Sequence, residues 1–211
     1  MGAEKIQIVD GRALPIRGED MDTDRIMPAR FLKSITFEGL GDHVFEDDRL
    51  AARRAGDVHP FDDPKYQGAS ILLAGRNFGA GSSREHAPQG LNRWGIRAVL
   101  AESFAEIFFG NSLMIGLACV TAPAKDVEAL MALVERDPKA TLTIDLQMRT
   151  CQAAGPEGPA LHVAISIPDH VRDSLMTGAW DTTGLLLDRY EQVNAVSARL
   201  PYLSGFSSSP R

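Results

Sequence analysis

Between Gly75 and Pro88 the chain reads Gly-Arg-Asn-Phe-Gly-Ala-Gly-Ser-Ser-Arg-Glu-His-Ala-Pro. Ser82, Ser83, Arg84, Glu85 and His86 follow one another directly after a glycine-rich stretch. An apolar run, Ile71 to Ala74, enters it and a helical pattern leaves it, so the sequence predicts a strand, a glycine loop and a helix N-terminus. Backbone N–H groups at such a junction attract anions, and the helix dipole there favours negative charge. The planar fork of Arg84 suits a carboxylate bidentately. A serine held among these positive potentials can exist transiently as alkoxide and act as a base, and a positioned base is worth about 10² to 10⁴ in rate.

Other readings of the loop are weaker. A phosphate-binding P-loop needs a lysine after its last glycine, and none follows Gly81. A dinucleotide fingerprint needs a third glycine where Arg84 stands. A structural reading takes the glycines as a tight turn and Ser82 with Glu85 as a capping box. It leaves the grouping of Ser82, Ser83 and Arg84 unexplained. Pro88 would lose an interior hydrogen bond if the helix began at the box, so the helix proper is expected near Pro88 with Ser82–His86 as a partly irregular turn. On the motif alone, Glu85 and His86 orient the arginine or pin the turn.

The elements that must hold this loop can be read on either side. Ile6 and Ile8 alternate with polar residues and predict a short strand ending at Gly11. Four acidic residues, Glu19, Asp20, Asp22 and Asp24, then crowd a loop whose spacing misses the calcium-loop pattern and reads as solvated. Residues 38–68 form a long excursion with one short helix near Asp47–Arg54; His43 and His59 lie in it without an assigned role. Beyond the loop we expect a helix over Ala87–Trp94 closed by Gly95, and a strand over Ile96–Ala101. A helix begun by a Ser103–Glu106 capping box and ended by Gly110 comes next, then a strand over Leu117–Val120. Val127, Leu130, Met131 and Val134 mark a helix that Asp137-Pro138 stops. Leu142–Leu146 and Leu161–Ile167 alternate around Gly155–Pro159 and read as a β-hairpin. Pro168 to Gly178 and Leu185 to Leu200 are the last helical segments. Strands alternating with helices from 70 to 121 give an α/β layer with partly parallel pairing, expected as one domain over residues 1–203 with a mobile tail over 204–211.

Composition narrows the function classes. A net charge of -6 argues against a nucleic-acid partner. No apolar run approaches the roughly 18 residues that span a bilayer. The N-terminus has no signal-peptide core, so a cytoplasmic protein is expected. The two cysteines, Cys119 and Cys151, form no CxxC pair and cannot supply the usual three or four thiolates of an iron–sulfur cluster.

Asn77-Phe-Gly-Ala-Gly-Ser-Ser-Arg-Glu-His-Ala-Pro88 closely resembles the signature of the swivelling domain of the aconitase superfamily. Asp22-Thr-Asp-Arg-Ile-Met-Pro-Ala-Arg-Phe-Leu-Lys33, Tyr66-Gln-Gly-Ala-Ser-Ile-Leu-Leu73 and Ser103-Phe-Ala-Glu-Ile-Phe-Phe-Gly-Asn111 are similar to the small subunits of bacterial 3-isopropylmalate dehydratases. The resemblance covers about residues 5–200. It implies an α/β fold: a single swivelling β/β/α domain, with a mixed sheet layer, flanking helices, and a C-terminal hairpin and helices. It also implies a hydro-lyase half-enzyme of leucine biosynthesis, interconverting 2- and 3-isopropylmalate by dehydration and rehydration as a heterodimer or higher assembly. The large subunit would carry a [4Fe-4S] cluster whose open iron binds the substrate, and this chain would carry no cofactor or metal.

By position in the family motif, Ser82 would be the base and Arg84 the carboxylate ligand, with Ser83 supporting. Arg30 and the segment Phe31, Leu32, Lys33 and Ser34 would meet the substrate, the segment touching its variable part. Asp24, Glu85 and His86 would support the site. Ala80 departs from the pattern, since the family commonly has cysteine there. Related small subunits act on homoaconitate, methylmalates or dimethylmalate, which is the alternative reading. A non-catalytic module that binds anionic metabolites is the rival from another class.

Overall fold

The apolar runs around the glycine loop do lie side by side. A computed structural model describes residues 4–34, 36–82, 84–155 and 160–204. Among these residues the strands are β1 (Ile8–Ile16), β2 (Ile71–Ala74), β3 (Ala98–Ala101), β4 (Ala118–Thr121), β5 (Thr141–Asp145), β6 (Thr150–Ala154) and β7 (Leu161–Ala164). They form one sheet in the order β4-β3-β2-β1-β5-β6-β7. β1 to β4 pair in parallel, and β5, β6 and β7 continue antiparallel from the other edge of β1. All four residues of β2 and of β3 are buried, as a parallel layer covered on both faces requires. β5 and β6 alternate buried and open positions, so one of their faces meets solvent. Thr121, at the end of β4, exchanges backbone hydrogen bonds of 2.9 and 2.7 Å with Ser166, just beyond β7. The sheet therefore curls until its two edges touch.

The helices are α1 (Thr23–Ile26), α2 (Glu46–Ala55), α3 (His86–Trp94), α4 (Glu106–Leu113), α5 (Ala124–Arg136), α6 (Asp169–Thr177), α7 (Thr182–Asp188) and α8 (Tyr190–Ser197). α5 buries Val127, Leu130, Met131, Leu133 and Val134, the face its periodicity predicts, and Asp137 closes it. α3 begins at His86, so Pro88 stands third in its first turn, where no intrahelical N–H bond is due. Gly95 and Gly178 close α3 and α6 as expected.

Several expectations are corrected. β1 does not stop at Gly11 but runs on to Ile16. Gly11 is there because a side chain would overlap the Ser70 hydroxyl of the neighbouring segment. The Ser103–Glu106 capping box does not form: Ala105 is the N-cap, and the Ser103 hydroxyl accepts from the Asn77 backbone N–H at 2.8 Å instead. α4 passes through Gly110 and ends at Leu113. The expected hairpin is a three-stranded meander, because β6 intervenes and pairs with both β5 and β7. Part of the expected turn, residues 156–159, lies outside the described residues, as do residues 205–211 of the expected tail. The last helix is two helices, parted at Arg189.

Candidate active site

Parallel strands deliver their C-terminal ends to one rim, the usual place for a site in such a sheet. The glycine loop after β2 runs there between the loop after β1 and the loop after β3. On one side Gly79 and Ala80 donate their N–H groups to Met21 O at 2.9 Å each, and Thr23 N–H donates to Ala80 O at 2.8 Å. On the other, Phe78 N–H donates to Ser103 O and Ala105 N–H to Phe78 O, both at 3.0 Å. Asn77, in a left-handed conformation that asparagine tolerates, donates Nδ2 to Asp20 at 2.8 Å. Two glycines are required by geometry. Gly79 has φ +80° and faces the Phe108 ring with no room for a Cβ; at Gly81, φ +94°, a Cβ would come within 2.6 Å of Asp22 Oδ2. The turn is pinned from both flanks before any ligand arrives.

What the turn presents is mostly unspent. Ser82 is exposed, its carbonyl accepts from Thr23 Oγ1 at 3.2 Å, and its hydroxyl bonds to no described residue. The backbone N–H groups of Gly81, Ser82, Arg84, Glu85 and His86 likewise reach no described acceptor. Unbonded N–H groups at a helix N-terminus can take an anion. Arg84 is largely covered, its side chain 14% exposed, and one terminal nitrogen is ion-paired with Asp24 Oδ1. That leaves the other terminal nitrogen and Nε of the fork for a ligand. Asp24 is positioned in turn, since its N–H donates to Asp22 Oδ1, the cap of α1, at 2.5 Å. Glu85 accepts from Gln89 Nε2 at 3.1 Å and so braces α3 rather than capping it. Ser83 lies outside the described residues.

The segment from Arg30 to Ser34 is anchored to α2 and to the turn before it, and Phe37, just beyond the segment, reaches His86. Ala29–Lys33 form one 3-10 turn. Arg30 is ion-paired with Glu46 and Asp47 at the start of α2 and lies 4.8 Å over the Phe31 ring. These partners raise the Arg30 pKa and hold both carboxyls below their usual range; burial opposes the effect on Glu46. Phe31 stacks on His43 at 4.0 Å, and His43 Nδ1 is 3.0 Å from Glu46 Oε1. Phe37 meets His86 edge-on at 5.2 Å. Leu32 is half-buried, whereas Lys33 and Ser34 are exposed with side chains unpaired among the described residues. Sequence reasoning missed His43 and Asn77; the three-residue step from His43 to Glu46 was the available signal for the first.

The acidic loop is accounted for by cations of this chain. Glu19 and Asp20 bind Arg76, Asp22 caps α1, and Asp24 binds Arg84. Cys119 in β4 and Cys151 in β6 are buried, and burial pushes both thiols up to about 12. Neither can offer a thiolate near neutral pH. A cavity of about 640 Å³ lies elsewhere, between Arg25, His59, Tyr66 and Glu135. Its charged groups already pair with one another, as in Arg25–Asp48, Lys65–Asp63 and Arg17–Glu135.

Three comparisons bear on this arrangement. Residues 3–125 match the family model of the aconitase C-terminal domain. The 3-isopropylmalate dehydratase small subunit of Thermus thermophilus is 45% identical over 199 residues, 94% of this chain and 96% of that one. The small subunit of the same name from Synechocystis is 44% identical over the same shares. A crystal structure of 3-isopropylmalate dehydratase from Methanocaldococcus jannaschii superposes with a TM-score of 0.65, covering 89% of this chain and 99% of that one at 24% identity. The curled mixed sheet is thus a known fold.

Proposed function

The chain belongs to the aconitase C-terminal domain family and, within it, to the 3-isopropylmalate dehydratase small subunits, and from that membership we propose that Ser82 is its base and Arg84 its carboxylate ligand. It is one subunit of a hydro-lyase of leucine biosynthesis. The reaction interconverts 2- and 3-isopropylmalate through loss and return of water. One observation carries the assignment: a free serine hydroxyl, a covered guanidinium and unbonded N–H groups share one pinned turn.

The residues act as follows. A substrate carboxylate docks on the free side of the Arg84 fork and on the N–H groups around Gly81–His86, displacing only water. Asp24 keeps Arg84 in register without occupying its whole fork. This positive surround lowers the cost of a Ser82 alkoxide, which takes the proton from the substrate carbon next to the departing hydroxyl. In the return direction Ser82 gives that proton back. Lys33, Ser34 and Phe31 border the part of the substrate that varies between hydroxy-diacids. The thiols of this chain do not fit an iron–sulfur cluster, being buried in separate strands and held protonated. We assign the [4Fe-4S] group to the large subunit, as the family resemblance implies, and with it the rest of the site.

Ser82→Ala decides the point. Combined with the cluster-bearing large subunit, the variant should assemble normally on gel filtration while turnover falls by about 10² to 10⁴. Turnover at the wild-type level would remove Ser82 from the chemistry. A second reading, another hydroxy-diacid of the homoaconitate, methylmalate or dimethylmalate kind, is favoured by the exposed, unpaired Lys33 and Ser34, which fix no single substrate shape. A substrate panel on the reconstituted pair separates the two.

A further inference from the structure

Two groups lie on the ring of Phe31, and both end on one carboxylate. The His43 imidazole stacks on it with centroids 4.0 Å apart and 20° between the planes. The Arg30 guanidinium lies 4.8 Å from the same centroid. His43 Nδ1 is 3.0 Å from Glu46 Oε1, and Arg30 Nη2 pairs with Glu46 Oε2. Burial pushes the Glu46 carboxyl up, but Arg30 and His43 bring it below its usual range. At neutral pH it can therefore only accept, and His43 Nδ1 is the donor. That bond fixes the tautomer and the tilt of the imidazole. Among the described residues His43 hydrogen-bonds only to Glu46 and stacks only on Phe31.

The backbone under this ring is rigid. His43 ends the 3-10 turn Leu40–His43, which seats flush on α3. A side chain at Gly41 would come within 2.7 Å of the Arg93 and Trp94 backbone, and one at Gly90 would meet Met27 and Val44. Val44 and Phe45 are fully buried, and Phe45 N–H donates to Ile26 O at 2.9 Å. Phe45 is held at φ +53°, where the chain turns into α2 and Glu46 comes within reach of His43. α3 itself starts at His86, two residues after Arg84. The turn that carries His43 and the turn that carries Ser82 and Arg84 are thus fixed to one helix. The Ala29–Lys33 turn, by contrast, buries none of its residues, and Phe31 is only partly covered.

We propose that His43 is a positioning residue for substrate choice: its ring is the plate on which Phe31 rests, and so it sets where the 30–34 segment stands against the part of the substrate that varies. The proposal rests on the reading above that this segment meets that part. His43 takes no share in the proton transfer at Ser82. Without the plate Phe31 loses its stacked neighbour, and the segment can draw back from a bulky branch. Binding lost equally in the ground state and the transition state raises KM and leaves kcat unchanged.

The test uses the full chain with saturating cluster-bearing large subunit and two diacids. One is 2-isopropylmalate; the other is 2-methylmalate, which has a methyl group where the first has its isopropyl group. His43→Ala should raise KM for 2-isopropylmalate about five- to tenfold, with kcat within about twofold. The inhibition constant of 2-methylmalate should move by less than about twofold. His43→Phe keeps a stacked ring without the Glu46 bond and should bring KM back to within about twofold of wild type. His43→Asn keeps a donor toward Glu46 without the plate and should not. All three should show the circular dichroism of the wild type, because the His43 side chain is 38% exposed. If His43→Ala lost the fold, the contrast between Phe and Asn would still decide. An unchanged KM, an equal rise for both diacids, or rescue by His43→Asn overturns the assignment. A fall in kcat with KM unchanged overturns it too, by placing His43 in the chemistry. Phe31→Ala tests the reading beneath: if it raises KM and His43→Ala does not, only the role of His43 falls. If neither does, the segment's part in recognising the substrate falls with it.

Discussion

His86 Nε2 is buried with no hydrogen-bond partner among the described residues, although its ring packs against Phe37. A buried polar nitrogen left unmade costs about 1–3 kcal/mol. His86→Phe keeps the ring-edge contact and removes that nitrogen, so the isolated chain should gain about 1 kcal/mol in denaturant unfolding. A loss instead would show that the nitrogen is bonded in solution. The strand, glycine turn and helix start that carry Ser82 and Arg84 were legible in the sequence because they form one contiguous motif. The Asp24–Arg84 pair and the contact of Phe37 with His86 were not, because each joins positions about 50 to 60 residues apart that only the sheet brings together.

At the level of elements, Arg30 joins the 29–34 segment to the first turn of α2 through Glu46 and Asp47. For Asp47 the Arg30 hydrogen bond lowers the pKa; for Glu46 burial pushes up, and Arg30 and His43 pull harder downward. A depressed folded pKa contributes stability above the unfolded carboxylate value of about 4 and loses it as pH falls through the folded value. Arg30→Gln should therefore destabilise the chain modestly at neutral pH and flatten part of its acid-unfolding profile below about pH 4; an unchanged profile would mean that the pairs contribute nothing. β2, β3 and α5 were legible because their apolar runs and 3.6-residue pattern are strong. β6 was not: in Thr150–Ala154 the buried positions are only Cys151 and Ala153, too small to signal a strand. Ser103 misled for a different reason, since a cap pattern in sequence says nothing of a competing donor such as the Asn77 N–H.

Over the whole molecule, the chain is a closed-up body with one open rim. Its cysteines belong to the body, buried and with thiols pushed up to about 12. A thiol reagent at neutral pH should find no fast-reacting group in the native chain and two after denaturation. Rapid labelling of the native protein would refute the burial. The fold class was legible from strands alternating with helices, while the contact between Thr121 and Ser166 that curls the sheet was not, because strand patterns in sequence do not say which edges will meet. One consequence follows from how the rim is divided. The turn proposed to handle the proton hangs between β2 and β3, whereas the segment proposed to meet the variable end of the substrate hangs between β1 and β2. Each has its own anchors: bridges to Asp22 and Phe104 for the turn, and Glu46, Asp47 and His43 for the segment. A lineage can therefore rewrite the second loop and inherit the first unaltered, so that new diacids are recruited to old chemistry by exchanging a single cassette.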